Sequence, residues 1–392
     1  MRNANVLELD IQRGFSLIEL LVAMVIGLVV TLAITNVIVL GESHKRATTS
    51  VNDMGQNAAY ASYVMDRAVR SAGSGFAQSW DLGVFGCRLN VARGTTATIL
   101  PRTTAFPGAF AGFLGGASGS ANLRVAPLLI GKSQSSAGSD VLVVMGGNAS
   151  AGDVSRMIRT PGVLTTNELR LDNVIGLAQN DLALISQTAT TDCLIEQIAA
   201  PVAANPDVLP LGGTYYTSVN LYTTLRASGA AYLTPLGNLS TGNVQFQLFG
   251  VGENRTLFSY DLLRSVGAGT DVAATQAIVD GVVQMRALYG LDTDNDGILN
   301  FWVDPGSTGY DITTMMTTPS LARQVIAVRL ALVLRTSNYE KETVSPANLV
   351  LFGNLPLALR QTVTLSTEEQ HYRYRTVDST IPLRNMLLLP TS

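Results

Sequence analysis

The residues with the clearest chemical potential are three aspartates that alternate along a short segment of the C-terminal half. Asp292, Asp294 and Asp296 are followed by Gly297, which permits a sharp turn. In a calcium-binding loop, carboxylates at this spacing supply oxygens at positions one, three and five. The segment is therefore a candidate Ca²⁺ site.

The remaining ligands follow from the same spacing. The Ile298 carbonyl falls at position seven and Asn300 at position nine, whereas position twelve is Val303 and Asp304 comes one residue late. The usual bidentate glutamate at position twelve is thus missing. The alternative is an acidic turn between strands, in which Asp–Gly serves the turn geometry. Repulsion among three carboxylates, which a turn alone does not need, favours calcium slightly.

No catalytic constellation is found in the sequence. The two histidines, His44 and His371, have no metal-ligand spacing. Gly131-Lys132-Ser133 resembles the last three residues of a phosphate-binding loop. Such a loop also needs a glycine five residues before Gly131, and that position is occupied by Ala126. We therefore predict that the protein is not an enzyme.

A carboxylate, Glu19, lies inside an almost unbroken apolar segment that ends near Leu40. From Phe15 to Leu40 a helix would be about 39 Å long, which crosses a hydrocarbon core of about 30 Å with tilt. A charge at that depth costs roughly 2.5–3.5 kcal/mol, so Glu19 indicates a function. Immediately before the segment, Arg13 and Gly14 offer a base and a small residue where a peptidase could cut.

Composition sets the remaining limits. The chain has 392 residues, of which 47% are hydrophobic and only 14% are charged. Its formal net charge of -3 gives no sign of a nucleic-acid partner.

The helical pattern continues beyond the apolar segment. One apolar stripe at spacings of three and four comprises Val51, Met54, Ala58, Ala61, Met65, Ala68 and Ala72. This pattern is typical of an amphipathic helix that packs on a core. The sequence therefore predicts one helix from Phe15 to about Ala72.

Strand signals dominate the rest. Strands are predicted at 140–145, 182–185, 244–249, 256–262 and 324–335, with Val283, Met285, Ala287 and Tyr289 on one face of another. Asp271 could cap a short helix through Asp280. The stretch 94–138 is predicted to consist of loops, and residues from about 90 to 240 are left without a fold. The class is α+β.

The segment Arg13-Gly14-Phe15-Ser16-Leu17-Ile18-Glu19-Leu20 and the apolar run after it resemble the N-terminal signal of type IV prepilins and pseudopilins. The resemblance implies that Gly14 precedes the cut and that Phe15 becomes the N-methylated terminus. It also implies that Glu19 pairs with the N-terminal amine of a neighbouring subunit during assembly. An ordinary signal anchor is the alternative.

The resemblance also implies an organisation. Residues 1–14 form the leader, 15–40 the transmembrane part of the helix, 41–72 its amphipathic part, and 73–392 a periplasmic, β-rich head. An oxidising compartment permits a disulfide between Cys87 and Cys193, which are the only cysteines. Two buried thiols are the alternative.

Three segments of the C-terminal half resemble PilW-type minor pilins: 281–294, 323–329 and 381–385. Near the helix end, 66–73 followed by Gly86-Cys87 is similar as well. The strand patterns are also related to those of J-type pseudopilins of type II secretion.

This second resemblance implies a minor pilin of the type IV pilus that helps prime assembly, in a complex at the tip of the fimbrium. Its partners would be other minor pilins, the major pilin, the prepilin peptidase and the inner membrane. The alternatives are a J-type pseudopilin, a pilus-tip adhesin and a membrane-anchored periplasmic enzyme.

Overall fold

The computed structural model describes residues 16–94, 97–116, 122–149, 152–165, 167–188, 192–199, 207–216, 230–265 and 271–390. The chain divides into two compact units, Met1–Asn52 and Asp53–Ser392. The second is called the globular unit below.

The predicted long helix is confirmed as α1 (Leu17–Arg70), of 54 residues. Among the described residues, α1 is the single helix long and apolar enough to cross a membrane. In its first part the Thr31 hydroxyl donates to the Gly27 carbonyl at 2.6 Å, and the Thr35 hydroxyl donates to the Thr31 carbonyl at 2.8 Å. These polar side chains are satisfied within the helix itself, as an apolar surrounding requires.

Within the globular unit, α1 buries the predicted stripe from Met54 onward. Its buried members are Met54, Ala58, Ala61, Met65, Ala68 and Ala72. They belong to the largest hydrophobic core cluster, together with residues from most of the strands. Small side chains allow the helix to lie close to its neighbours, which explains why alanine dominates the stripe.

A glycine terminates α1, and hydrogen bonds from other parts of the globular unit satisfy its last polar groups. Gly73 has a φ of 77°, which suits glycine, and its N–H donates to the Met145 carbonyl at 2.8 Å. The Asn385 side-chain amide donates to the Ala72 carbonyl at 3.0 Å. The helix end therefore has the external partners that orphan carbonyls need.

The described residues form nineteen strands and two further short helices. The strands are β1 (Arg88–Arg93), β2 (Ala97–Leu100), β3 (Leu128–Gly131), β4 (Val141–Gly146), β5 (Arg156–Thr165), β6 (Glu168–Leu171), β7 (Asp181–Gln187), β8 (Asp192–Gln197), β9 (Val208–Pro210), β10 (Ala231–Asn238), β11 (Gln245–Val251), β12 (Thr256–Asp261), β13 (Thr275–Asp280), β14 (Val282–Leu291), β15 (Phe301–Val303), β16 (Val325–Arg335), β17 (Asn348–Leu351), β18 (Gln361–Thr364) and β19 (Tyr374–Pro382). The helices are α2 (Ile312–Thr317) and α3 (Pro319–Arg323).

These strands form four sheets. The eight-stranded sheet has the order β2-β1-β8-β7-β10-β5-β6-β9, and the five-stranded sheet has the order β13-β12-β11-β4-β3. The four-stranded sheet is β15-β14-β16-β19, and β17 pairs with β18. The prediction of a long helix followed by a mainly β region is confirmed.

The predicted common face on β14 is only partly correct. Met285, Ala287 and Tyr289 are buried in the main core, but Val283 is half-buried and Val282 takes its place. The cause is a register shift between Val282 and Gln284 in the pairing with β16. Such a bulge reverses the alternation of faces locally.

The prediction of loops at 94–138 is wrong in part. This stretch contains β2 and β3, and it buries Phe106, Phe110 and Phe113 completely. The Phe106 ring makes edge contacts with the rings of Phe113 and Tyr260, with centroids 5.7 and 5.6 Å apart. Glycine and alanine between the aromatic residues hid the core-forming side chains from a periodicity argument.

The predicted short helix from Asp271 to Asp280 is wrong. Only Val272–Ala274 forms a helical turn, and the next six residues form β13, which pairs with β12. Asp271 lies in a buried ion pair with Arg102 instead. Tertiary pairing with a strand edge outweighed local helix propensity here.

Candidate functional site

The N-terminal processing residues, Gly14 and Phe15, lie outside the described residues. Glu19 is described and lies in the first turn of α1. Its carboxylate accepts a hydrogen bond from the Ser16 N–H at 2.9 Å. An acidic group at this position is stabilised by the positive end of the helix dipole and by the unpaired N–H groups there.

The acidic segment connects β14 to β15. The carboxylates of Asp292, Asp294 and Asp296 can each offer one oxygen, and these three oxygens lie within 4.8 Å of one another. Asp292 is only 3% exposed, whereas Asp294 and Asp296 are exposed. The three side chains that the sequence singled out therefore converge.

Hydrogen bonds set the shape of this loop. The Asp292 carboxylate accepts from the N–H groups of Asp296 at 3.2 Å and of Gly297 at 2.8 Å. Asp296 accepts from the Ile298 N–H at 2.7 Å. Asn295 and Gly297 both have a positive φ, at 57° and 86°. Asp292 and Asp296 thus organise the turn, and the three carboxylates converge on it.

Two of the suggested additional ligands have other contacts. The Asn300 side-chain oxygen accepts from the Thr293 N–H at 2.6 Å across the loop. Asp304, one residue beyond the usual position of the glutamate, forms an ion pair with Lys132 at 2.6 Å and accepts from the Gln361 amide at 3.1 Å. We therefore remove Asp304 from the ligand set, because its charge is already balanced.

The two cysteines form the predicted disulfide. Cys87 and Cys193 are joined with an S–S distance of 2.04 Å and a Cα–Cα distance of 5.6 Å. The bond links the residue before β1 to β8, and these strands pair in parallel, with Leu89 opposite Cys193. Beside it, the Arg88 guanidinium holds the Asp192 carboxylate at 2.6 Å.

A buried ionic cluster was not expected from the sequence. The guanidinium of Arg102, which follows β2, donates to the Tyr260 hydroxyl at 2.6 Å and to the Asp271 carboxylate at 3.4 Å. The Arg102 side chain is fully buried and that of Asp271 is 2% exposed. Burial raises the pKa of Tyr260 to about 12, so the phenol stays protonated and donates to Asp271 at 2.9 Å. Sequence separation hides such a cluster, since no local pattern marks its members.

A second buried carboxylate joins two sheets. Asp140 accepts from the Ala287 N–H at 2.9 Å and pairs with the Arg286 guanidinium at 2.7 Å. Burial raises the pKa of Asp140, and the positive charge of Arg286 opposes that rise. The partners of this carboxylate lie on β14 and on the loop after β3. Its role is therefore to hold the five-stranded and the four-stranded sheets together.

Comparison with known proteins agrees with this arrangement. Residues 10–35 match the family described as the prokaryotic N-terminal methylation motif, and they cover Glu19 and the start of α1. This match, with the apolar helix, fits a membrane-anchored, prepilin-like protein. Residues 249–385 match the family described as Type IV Pilus-assembly protein W.

The two matches are consistent with a PilW-type protein and confirm the resemblance seen in the sequence. They support a minor pilin associated with the type IV pilus, and pilin-type families are structural rather than enzymatic. No curated protein and no solved structure matches the chain.

Proposed function

We propose that the chain is a minor pilin that helps to prime assembly of the type IV pilus, within a complex of minor pilins. The observation that carries this proposal is the combination, in one chain, of a methylation motif on a 54-residue helix and a PilW match in the β region. A subunit of this kind needs an anchor in the membrane and a globular unit that selects its neighbours. An apolar helix long enough to cross a membrane and a β-rich globular unit support this proposal.

In this proposal the globular unit lies in the periplasm before assembly and in the pilus afterwards. The Cys87–Cys193 disulfide supports an oxidising compartment, because such bonds persist there and are rare in the cytosol. The partners would be the major pilin and other minor pilins.

Processing would remove residues 1–14. The prepilin peptidase would cut after Gly14, and Phe15 would become the methylated terminus. Mass spectrometry of the chain recovered from sheared pili should then show an N-terminal methyl-phenylalanine. A chain that begins at Met1 in assembled fibres would exclude the proposal.

Glu19 would pair with the amine of a neighbouring subunit. A carboxylate in an apolar environment is tolerated only with a partner, and the N–H of Ser16 alone does not neutralise its charge. We expect Glu19→Leu to insert into the membrane as well as the wild type, or better, since a charge is removed from lipid. Its incorporation into pili should fall.

Glu42 provides the matched control for Glu19. It lies on the same helix, is exposed and pairs with Arg46 at 3.1 Å. Glu42→Leu should leave incorporation unchanged. Equal incorporation of Glu19→Leu and the wild type would refute the pairing.

The assembly role itself is tested in cells that lack the chain. Counting surface pili by electron microscopy should show a loss that the wild-type chain restores. If pili are retained and protein secretion is lost, the chain is a pseudopilin of type II secretion. If pili are normal in number but fail to attach, it is an adhesin.

We also propose that the loop from Asp292 to Asn300 binds Ca²⁺. The convergence of three carboxylate oxygens within 4.8 Å favours an ion, because like charges at that distance repel one another. The Ile298 carbonyl and Asn300 would add ligands, and water would complete a shell of about six to eight oxygens. Without the usual glutamate we expect a dissociation constant of about 10⁻⁴–10⁻³ M.

Calorimetric titration of the full-length chain with Ca²⁺ tests this site directly. Asp294→Asn should abolish the heat of binding and keep the fold, since Asp294 is exposed, whereas Asp292 anchors the turn. An unchanged titration in Asp294→Asn would show that the loop is only a turn.

A further inference from the structure

A groove of about 550 Å³ is lined by α1 and by one face of the five-stranded sheet. Its floor contains Gln245 and Gln247 on β11, Ser259 and Asp261 on β12, and Gln276 on β13. Ligand-binding clefts in proteins have volumes of about 300–1,000 Å³, so the groove has the size of a ligand site.

Strand alternation explains why this floor is polar. Gln247 is opposite Asp261, and Ser259 is opposite both Phe249 and Gln276. Residues two apart on a strand point to the same side of a sheet. The other side carries the buried apolar residues Phe246, Leu248 and Tyr260. One face thus lies in the core, and the other presents amides, a hydroxyl and a carboxylate around the buried ring of Phe249.

The floor retains capacity for hydrogen bonds. Gln245 is engaged: its oxygen accepts from the Ser71 hydroxyl at 2.6 Å and its nitrogen donates to the Gln247 oxygen at 3.1 Å. The Gln247 nitrogen, the Ser259 hydroxyl and the Gln276 amide have no side-chain or backbone partner within the part of the chain that the structure describes. These groups can bind a polar ligand without breaking existing bonds.

The walls add aromatic rings and positive charge. Tyr60 and Tyr63, one turn apart on α1, are 53% and 61% exposed. Arg67 follows on the same side of α1, and Arg264 lines the groove from the end of β12. The one carboxylate, Asp261, lies 3.4 Å from Arg264 and also accepts from the Leu263 N–H. Two arginines against one partnered carboxylate leave the groove positive.

We propose that this groove binds an acidic oligosaccharide, with the carboxylate of a uronic-acid-type sugar held by Arg67. The side-chain amides and Ser259 would bind neighbouring hydroxyl groups, because an amide offers a donor and an acceptor side by side. The exposed tyrosine rings would cover the apolar faces of the sugar rings. Arginine recognises carboxylates through two parallel N–H groups.

A peptide is a poorer occupant of the same groove. The floor is the face of a sheet whose backbone groups on β11 and β12 already pair with neighbouring strands, so strand addition is not available there. A docked protein would also need a buried apolar anchor. The one large apolar side chain of the floor, Phe249, is already buried by the protein itself, and the exposed part of the floor is polar.

Binding can be measured with the mature full-length chain in detergent micelles. The probes are tri-galacturonate, tri-glucuronate and sialyl-lactose, each compared with its carboxyl-reduced form by calorimetric titration. We expect at least one acidic probe to bind, and the reduced form to bind about tenfold more weakly, because a hydrogen bond to a charged group contributes about 1.5–3 kcal/mol.

Variants connect the binding to the groove. Arg67→Gln should weaken binding of the acidic probe by about tenfold or more. Gln247→Leu should weaken the binding of the acidic probe and of its reduced form by the same factor. Arg384→Gln, an exposed arginine outside the groove, is the matched control and should change nothing.

Three results would overturn the proposal. The first is that no acidic probe binds at concentrations up to about 1 mM, which corresponds to a binding free energy of about -4 kcal/mol. The second is that an acidic probe and its reduced form bind equally well. The third is that Arg67→Gln leaves the binding of the acidic probe unchanged. Pilus number should remain normal in Arg67→Gln. If it falls while no probe binds, the groove is a subunit contact and the sugar assignment is wrong, although the role in assembly stands.

Discussion

The eight-stranded sheet and the four-stranded sheet are stabilised by different means. Three of the four strands of the four-stranded sheet, β14, β16 and β19, have nine to eleven residues and pair antiparallel along most of their length. Five of the eight strands of the eight-stranded sheet have only three to six residues, one of its pairs is parallel, and four register shifts interrupt its pairings.

In the eight-stranded sheet, cross-links between neighbouring strands compensate for the short pairing of the strands. The Arg88–Asp192 ion pair joins β1 to β8, and the Cys87–Cys193 disulfide joins the residue before β1 to β8. Arg102, after the edge strand β2, reaches Asp271 beside the five-stranded sheet. The four-stranded sheet also has a cross-strand ion pair, Arg329–Asp378 at 2.8 Å. We nevertheless expect its long strands to be held mainly by the burial of side chains, and the eight-stranded sheet to depend more on its cross-links. The following experiments test that difference.

The largest effect is expected for Arg102→Met. The change leaves the Asp271 carboxylate buried without its cation, which costs about 3–5 kcal/mol of unfolding free energy. Thermal melting of the full-length chain measures it. The double variant with Asp271→Asn should recover part of the loss. A cost below about 1 kcal/mol would mean that the cluster is dispensable.

Leu330→Ala tests the four-stranded sheet. Leu330 lies in the middle of β16, is 1% exposed and belongs to the main core. Truncation should cost about 2–5 kcal/mol, from lost burial and the cavity that remains. Thr376→Ala on the exposed side of β19 is the control and should stay within about 0.5 kcal/mol. If both variants melt alike, burial on β16 is not what stabilises this sheet.

The next effect is expected for Cys87→Ser combined with Cys193→Ser. A sequence separation of 106 residues makes the bond a large constraint on the unfolded chain, which typically corresponds to about 2–4 kcal/mol. Reducing agent should lower the melting temperature of the wild type to that of the double variant and should leave the variant unchanged. A drop in both would point to an effect other than the bond.

Calcium should have the smallest effect. At ten times the dissociation constant the ion would add about 1.4 kcal/mol to the unfolding free energy. The loop lies between β14 and β15, two strands of the four-stranded sheet. Asp294→Asn should remove it, whereas Asp153→Asn, at an exposed site before β5, should not. Equal melting with calcium and with chelator would exclude a stabilising site.

The features that could be predicted from the sequence are those formed by residues close together in the chain. β16 was predictable because Ile326, Val328, Leu330, Leu332 and Leu334 alternate without interruption. In the same way α1 was marked by its stripe, and the acidic loop by aspartates two residues apart. In each case the signal lies within about a dozen neighbouring residues, where a period of 2 or 3.6 is detectable.

Features assembled from distant residues were missed. The ion pair of Arg102 with Asp271 joins positions 169 residues apart, and the groove floor takes side chains from three strands. On β14 one bulge was enough to exchange Val283 for Val282. The disulfide was predicted because only one pairing of two cysteines exists, and not because the fold around it was understood.

The burial of α1 along its whole length in the globular unit has a mechanical consequence. From Met54 to Val69 the helix contacts the core at every turn. Tension along the helix axis would load all these contacts in parallel, as a shear, and they would have to fail together. A force across the axis would open them one turn at a time. We therefore expect the globular unit to resist a pull along the helix axis better than a pull across it.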